Sequence, residues 1–306
     1  MNRQQINILC NLPLIELISM ANKVRHDCVG TNLELCSIMN AKSGLCAQDC
    51  KFCAQAARHS TGISTYSLKS KEEMIEAARM AKEIGAGRFD IVTSGNRLSK
   101  EELDIIADAI REITGKLGLK MCASLGKLQE EDFLLLKESG LSRYHHNLET
   151  SRNYFSKIVT SHTFDERIET IKAAKKAGLE VCSGGIIGMG ESMEDRIDLA
   201  FTLKELGVDS VPINVLVPIK GTPFENLNQL PAGETVRTIA MFRIILKDKI
   251  IKMAAGRESV LKDFQAMAFM AGANGMLIGG YLTIKGRQPQ EDWRLVEEVK
   301  KLWQTI

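Results

Sequence analysis

Three cysteines fall within eight residues, Cys46, Cys50 and Cys53, spaced C-x3-C-x2-C in the stretch GLCAQDCKFCAQ (44–55), with Phe52 directly before the last thiol. A loop this short costs little closure entropy, so its three thiolates can wrap a single metal centre. A structural zinc site ordinarily takes four protein ligands. The common iron–sulfur clusters also take four cysteines. Three thiols without a neighbouring fourth point to a cubane cluster with one iron left open for a small molecule. A surface zinc loop or a set of buried thiols is the competing reading of the spacing alone.

Such a loop needs a frame, and the flanking sequence describes one. LELCSIMNA (33–41) reads as a first strand running straight into the cysteines. From there the pattern strand, turn, capped helix repeats. Ser70 with Glu73, Ser99 with Glu102 and Thr163 with Glu166 have the spacing of capping boxes, and the helices they start should end near Gly85, Gly115 and Gly178. A further helix should follow Ser192 and stop at Gly207. Short apolar runs predict strands at 88–93, 120–124, 142–148, 180–187, 210–217, 250–255 and 274–278, eight with the first. Strands alternating with helices imply βαβ units and a parallel sheet, and eight such units close into a barrel.

The expected fold is therefore α/β, a (β/α)8 TIM-type barrel with an N-terminal helical extension. Leu14, Ile18, Ala21 and Arg25 share one helical face of that extension, and Pro13 stands where a helix start tolerates it. One domain is expected over 1–306, with the extension at 1–30, the barrel at 33–285 and a C-terminal helix at 286–306. Active sites of such barrels lie at the C-terminal strand ends, the face onto which a loop following strand one emerges.

Composition narrows the class. An apolar fraction of 44% over 306 residues supports a large core, and 5% aromatic residues imply aliphatic packing. A net charge of +2, from 40 basic and 38 acidic residues mixed along the chain, gives no footprint for nucleic acid or an anionic membrane. Residues 264–282 are apolar but Gly-rich, and Gln265 and Asn274 interrupt them, so no membrane span is expected. The first thirty residues lack a signal-peptide apolar region. The eight cysteines are accordingly expected to be reduced, in the cytoplasm, and available to metals.

Further polar residues cluster at the expected strand ends. Strand alternation puts His145, Asn147 and Glu149 on one face, and Asn147 can both donate and accept. Arg167 lies in the first turn of a helix, where the macrodipole disfavours a cation, so a functional reason is expected for it. Gly184, Gly185, Gly188 and Gly190 would let backbone approach a flat ligand.

The cysteine array resembles the signature of the radical S-adenosylmethionine (SAM) enzymes, whose open iron chelates the amino and carboxylate groups of SAM. The segments YHHNLETS (144–151), VCSGGIIGMGE (181–191), SVPINVLVPIKGTP (210–223), AAGRE (254–258) and FMAGANGML (269–277) resemble the biotin synthases, in order and each at an expected strand end. The resemblance implies 5′-deoxyadenosyl radicals that remove two unactivated hydrogens from dethiobiotin. It also implies sulfur taken from an auxiliary iron–sulfur cluster inside the barrel. For SAM it implies Phe52 and Ile186 against adenine, Glu149 on the ribose hydroxyls, Arg167 on the carboxylate, and Asn147 bridging SAM to the substrate. For dethiobiotin it implies His145, Asn147 and Asn214, although His145 replaces an expected asparagine; His146 should face the other way. A small electron-transfer protein of flavodoxin or ferredoxin type and a homodimer are further implications.

The auxiliary site departs from the better-known pattern of cysteines on strands two, three and five, with an arginine near strand seven, around a two-iron (2Fe-2S) cluster. Cys122 and Cys182 match strands three and five, and Arg257 matches the arginine, as ligand or neighbour. Strand two instead reads RFDIV, with Arg88 in place but Asp90 where cysteine is expected. Cys36, on neighbouring strand one, can replace the missing thiol. This resembles a second subgroup whose auxiliary cluster has four irons and an extra sulfide. Asp90 is then a supporting residue bonded near Arg88 or Arg257, not a ligand, and Cys10 and Cys28 are incidental.

Two rivals remain at this point. One is a radical SAM enzyme acting on another small substrate, against which Asn214 and the Cys122/Cys182 pair argue. The other is a non-enzymatic iron–sulfur or zinc protein, which accounts for neither Glu149, Arg167 nor eight βα units.

Overall fold

The computed structural model describes residues 3–283 and 286–304. The outer ends of the expected segments, at 1–2, 284–285 and 305–306, lie outside the described residues. Helices α1 (Arg3–Leu9) and α2 (Leu14–Val29) form the N-terminal extension. Leu17, Ala21 and Arg25 on α2 are buried, while Leu14 and Ile18 are half-buried beside them, so the expected face is the packed one. Arg237 ties the turn between α1 and α2 to the body by donating to the carbonyls of Cys10 at 2.8 Å and Leu12 at 2.9 Å.

The barrel opens with β1 (Glu34–Lys42), α3 (Lys71–Glu83), β2 (Arg88–Thr93), α4 (Lys100–Leu117), β3 (Lys120–Ser124) and α5 (Glu130–Glu138). It continues with β4 (Leu141–His145), α6 (Arg152–Ile158), α7 (Phe164–Lys176), β5 (Glu180–Cys182), β6 (Gly185–Ile187) and α8 (Met193–Glu205). It ends with β7 (Ser210–Val215), α9 (Ala232–Leu246), β8 (Ile250–Met253), α10 (Arg257–Leu261), α11 (Gln265–Met270), β9 (Gly275–Leu277) and α12 (Pro289–Gln304). The capping boxes at Ser70, Ser99, Thr163 and Ser192 all form, each serine or threonine oxygen accepting from the backbone of the acidic residue three places on.

All sheet pairings are parallel, in the order β5-β4-β3-β2-β1-β9-β8-β7-β6, and β5 also pairs with β7, which closes the ring. The expected run 180–187 is one stave broken in two, so the barrel has eight staves. The break has a steric cause. A Cβ on Gly184 would lie 2.0 Å from the Pro212 carbonyl oxygen, and one on Gly185 would lie 2.4 Å from that of Glu149. These glycines admit neighbouring backbone rather than a flat ligand, which corrects the sequence expectation for them. Gly188 (φ 90°) and Gly190 (φ 99°) serve the left-handed turn that follows.

Strand alternation sorts the side chains. Phe89, Ile91, Met121, Tyr144, Val181, Val211, Ile251 and Met276 face outward and are fully buried under the helical ring. Among their neighbours in sequence, charged residues and thiols such as Asp90, Cys122, Cys182 and Lys252 line the cavity inside the barrel. No helix among the described residues is long and apolar enough to cross a membrane.

The C-terminal helix is locked by a buried ion pair. Arg257 Nη2 meets both Asp292 carboxylate oxygens at 2.8 Å, with the two side chains 2% and 0% exposed. Trp293 donates to the Ile84 carbonyl at 2.7 Å, and only a glycine at 85 leaves room for its ring. Removing one member of a buried pair strands the other charge, at about 3–5 kcal/mol. We therefore expect Asp292→Ala to lower the denaturant midpoint strongly and Asp292→Ala/Arg257→Met to recover much of the loss. A single variant with the parent's midpoint would show that the pair does not hold α12.

Candidate active site

β1 leaves the barrel through Gly44 (φ 76°) and Leu45 (φ 51°), two successive left-handed residues that turn the chain back over the strand ends. A Cβ on Gly44 would lie 2.6 Å from the Thr65 hydroxyl, so the turn requires glycine there. The loop then folds on itself. Cys46 N donates to the Gln55 carbonyl at 3.0 Å, Ala57 N to that of Cys46 at 2.8 Å, and Cys53 N to that of Cys50 at 3.0 Å. Asp49 pins the loop to the segment after α6, accepting from the backbone N–H groups of Thr160 at 2.9 Å and Ser161 at 3.0 Å. Those bonds outweigh the cost of burial and hold the Asp49 carboxyl well below the usual carboxylate range.

Cys46, Cys50 and Cys53 all line one cavity of about 720 Å³, a size ordinary for a small-molecule site. Burial pushes the Cys50 thiol up to about 12, against a smaller opposing pull from Arg167. Burial likewise pushes Cys53 up to about 11. Thiols in this state are poor ligands until a cation arrives, and iron supplies the missing charge. With Cys46 on the same self-closed loop, three thiols face one cavity and fit an iron–sulfur cluster.

Phe52, Asn147, Glu149, Arg167, Ile186, His145 and Asn214 line the same cavity, so the structure brings together the expected SAM and substrate residues. Glu149 takes a left-handed backbone (φ 70°) just past β4 and pairs with Gly185. Its Oε2 is buried without a hydrogen-bond partner among the described residues, an acceptor ready for a hydroxyl. Burial raises its pKa, opposed by Arg167. Arg167 donates from Nη1 to the Asn147 carbonyl at 2.7 Å and from Nε to His162 Nε2 at 3.1 Å. His162 in turn donates from Nδ1 to Gln48 at 2.7 Å, and burial together with Arg167 lowers its pKa to about 4. Asn214 Nδ2 donates to the Gly185 carbonyl at 3.2 Å, and its Oδ1 accepts from Ala255 N at 3.1 Å.

Deeper in the barrel, Cys36, Cys122 and Cys182 line the cavity from three strands. Burial pushes Cys36 up to about 12, offset in part by Lys252, and burial raises Cys122 strongly. Three sequence expectations change here. Arg257 does not reach the thiols, because its guanidinium is committed to Asp292, to Gln265 and to the Leu277 carbonyl. Lys252, two residues inside β8 and 3% exposed, is the cation that the deeper thiols meet on the cavity wall instead. Asp90 bonds neither Arg88 nor Arg257; its Oδ2 meets His145 Nδ1 at 2.9 Å. His146, expected to face away, stacks on Tyr144 at 6.3 Å and also reaches the cavity wall. Cys10 and Cys28 are not among the cavity residues.

Below the thiols lies a charged floor. Glu34 meets Arg143 at 2.7 Å, Lys252 at 3.1 Å and Arg88 at 3.3 Å, while Glu180 meets Arg143 at 2.9 Å and Arg88 at 3.2 Å. Arg88 also donates to Ser142 Oγ at 2.7 Å and to Cys122 Sγ at 3.7 Å. Three cations face two carboxylates, so the floor presents net positive charge to the thiols. Sequence reasoning missed Glu34, Arg143 and Lys252. Their signal was a charge at an inward position of an otherwise apolar strand, as in IIKM (250–253).

Comparison with known proteins now bears on this geometry. The Radical SAM superfamily pattern matches residues 42–203, and that of the Biotin and Thiamin Synthesis associated domain matches residues 212–300. The chain is 54% identical to the biotin synthase of Thermotoga petrophila over 94% of its length and 95% of the relative's. It is 50% identical to that of Carboxydothermus hydrogenoformans over 94% and 89%.

The chain belongs to the biotin synthase family. Its reaction is that family's, radical SAM sulfur insertion into dethiobiotin, with SAM, a 4Fe-4S cluster and an auxiliary iron–sulfur cluster. The fold is shared with methylornithine synthase, at a TM-score of 0.84 and 22% identity over 97% of this chain and 92% of that one. It is also shared with the FeFe-hydrogenase maturase HydG of Carboxydothermus hydrogenoformans, at 0.80 and 19% over 96% and 77%.

In this biotin synthase family member the floor makes a pH prediction. Burial opposes ionisation of Glu34, but Lys252, Arg143 and Arg88 outweigh it and hold its pKa at about 2, against an ordinary 4.5. A depressed folded pKa stabilises above the unfolded value and is lost as pH falls through the folded one. The stability gap between the parent and Glu34→Gln should be widest above pH 4.5 and close on going down to 2. Denaturant unfolding of the metal-free proteins across that range measures it; a pH-independent gap would mean Glu34 is not held ionised by its three cations.

Proposed function

We propose that Cys46, Cys50 and Cys53 hold the SAM-cleaving 4Fe-4S cluster and that Cys36, Cys122 and Cys182 hold the auxiliary cluster, with four irons in the latter. The observation that carries this reading is a single cavity lined by two separate sets of three cysteines. Once bound, the cofactors supply the 5′-deoxyadenosyl radical and the sulfur, and the chain's residues bind and orient around them. Glu149 Oε2 accepts from the ribose hydroxyls. Arg167, fixed by Asn147 and His162 on the cavity wall, clamps the SAM carboxylate. Phe52 and Ile186 cover the adenine with apolar surface. Asn147, His145 and Asn214 bind the ureido ring, which offers one carbonyl acceptor and two N–H donors.

The four-iron assignment rests on Cys36 taking the part of the cysteine that Asp90 replaces, and on Lys252 as the adjoining cation in place of Arg257. Family likeness supports a flavodoxin- or ferredoxin-type electron donor, a homodimer and a cytoplasmic location.

Two cubanes give about eight irons per chain, whereas a two-iron auxiliary cluster gives about six. Cys46→Ala, Cys50→Ala and Cys53→Ala should each abolish formation of 5′-deoxyadenosine. Cys36→Ser should lose the auxiliary irons yet still cleave SAM, and should make no biotin. Iron analysis with assays of both products reads all three outcomes. A Cys36→Ser protein that makes biotin with full iron content would reduce Cys36 to core packing and end the four-iron proposal.

A further inference from the structure

The loop that carries Cys46, Cys50 and Cys53 is bonded to the segment between α6 and α7. Lys51 N donates to the Ile158 carbonyl at 3.0 Å, and Asp49 N donates to Ser161 Oγ at 3.1 Å. Ser161 Oγ in turn donates to Gln48 Oε1 at 2.8 Å. Gln48 stands between Cys46 and Cys50 and lines the same cavity.

From Gln48 a line of hydrogen bonds leads to Arg167. Gln48 Oε1 meets His162 Nδ1 at 2.7 Å, and His162 Nε2 meets Arg167 Nε at 3.1 Å. A guanidinium can only donate, so Nε2 is the accepting nitrogen of the ring. Nδ1 then carries the proton, and the Gln48 atom that it faces is oxygen. Each bond thus has one sense, and the line needs a neutral imidazole. Burial, with Arg167 beside it, favours that neutral form. The ring also packs edge-on against Phe155, 5.7 Å between centroids, and Phe155 on α6 is 3% exposed. Arg167 is therefore held at Nε by a residue bonded to the cysteine loop and at Nη1 by the Asn147 carbonyl past β4.

We propose that Gln48 and His162 are positioning residues for SAM: they set Arg167 from the loop that carries the cluster, although neither needs to touch the carboxylate. A carboxylate shared between the cluster and Arg167 has one length to span, so loop and guanidinium must keep one spacing. Bonding Arg167 to the loop through two side chains fixes that spacing directly. The inference rests on the reading of Arg167 as the carboxylate clamp.

Equilibrium binding of SAM and of 5′-deoxyadenosine to the anaerobically reconstituted holoprotein tests it, since 5′-deoxyadenosine has the nucleoside without the carboxylate. His162→Ala should weaken SAM about tenfold, the scale of one charged hydrogen bond, and leave 5′-deoxyadenosine affinity at the parent's value. His162→Gln keeps an acceptor for Arg167 Nε and should restore most of the loss. Gln48→Ala should weaken SAM about fivefold, the scale of a neutral hydrogen bond. In the Arg167→Ala background neither change should add anything, because no guanidinium remains to be set. Iron content should match the parent throughout. Equal losses for the two ligands, additive losses, or irons missing from His162→Ala would each overturn the inference. If Arg167→Ala weakens SAM and His162→Ala does not, the inference fails and the clamp reading stands. If Arg167→Ala binds SAM as the parent does, both fail. Should His162→Ala not fold, Gln48→Ala breaks the same line one bond earlier and is judged by the same outcomes.

Discussion

Glu34 is the point on which the barrel interior turns. A carboxylate carried this deep must be paired, and it is met by Lys252, Arg143 and Arg88 from three other strands. β1 thereby ties β2, β4 and β8 together from within, and Glu180 extends the tie to β5. An apolar plug could fill the same space. It could not leave a surplus of positive charge beneath three thiols, which is the electrostatic condition a cluster of anionic ligands needs.

That condition separates two kinds of cysteine in one cavity. Cys46, Cys50 and Cys53 are adjacent in the chain, and their loop is self-supporting through its own backbone bonds and Asp49. Cys36, Cys122 and Cys182 are far apart in the chain, and only closure of the sheet brings them together. The first set depends on a local turn and the second on the whole ring. Damage to barrel closure should therefore be felt first at the deeper set.

Between the two sets the wall is polar and continuous. Glycines at 184 and 185 let the chains approach closely enough for Gly184 N to meet Asn147, and the same approach breaks the stave. The irregularity in an otherwise regular barrel thus falls beside Asn147, Glu149 and Ile186, which line the cavity.

Much of this was legible in the sequence because the signals are local. Capping boxes at Ser70, Ser99, Thr163 and Ser192 fix helix starts by bonds within four residues. The short apolar runs mark the strands, and the C-x3-C-x2-C spacing marks a loop that can ligate. What the sequence left open is which cation and which acid partner face the thiols. Lys252 and Arg257 are five residues apart on either side of the β8 end, and both could serve on spacing alone. The fold turns Arg257 to Asp292 on α12 and leaves Lys252 inside. Asp90 likewise had two arginines in view and meets His145 from β4 instead. Those choices depend on contacts between strands and helices distant in the chain, and a buried charge takes whichever partner packing brings within reach.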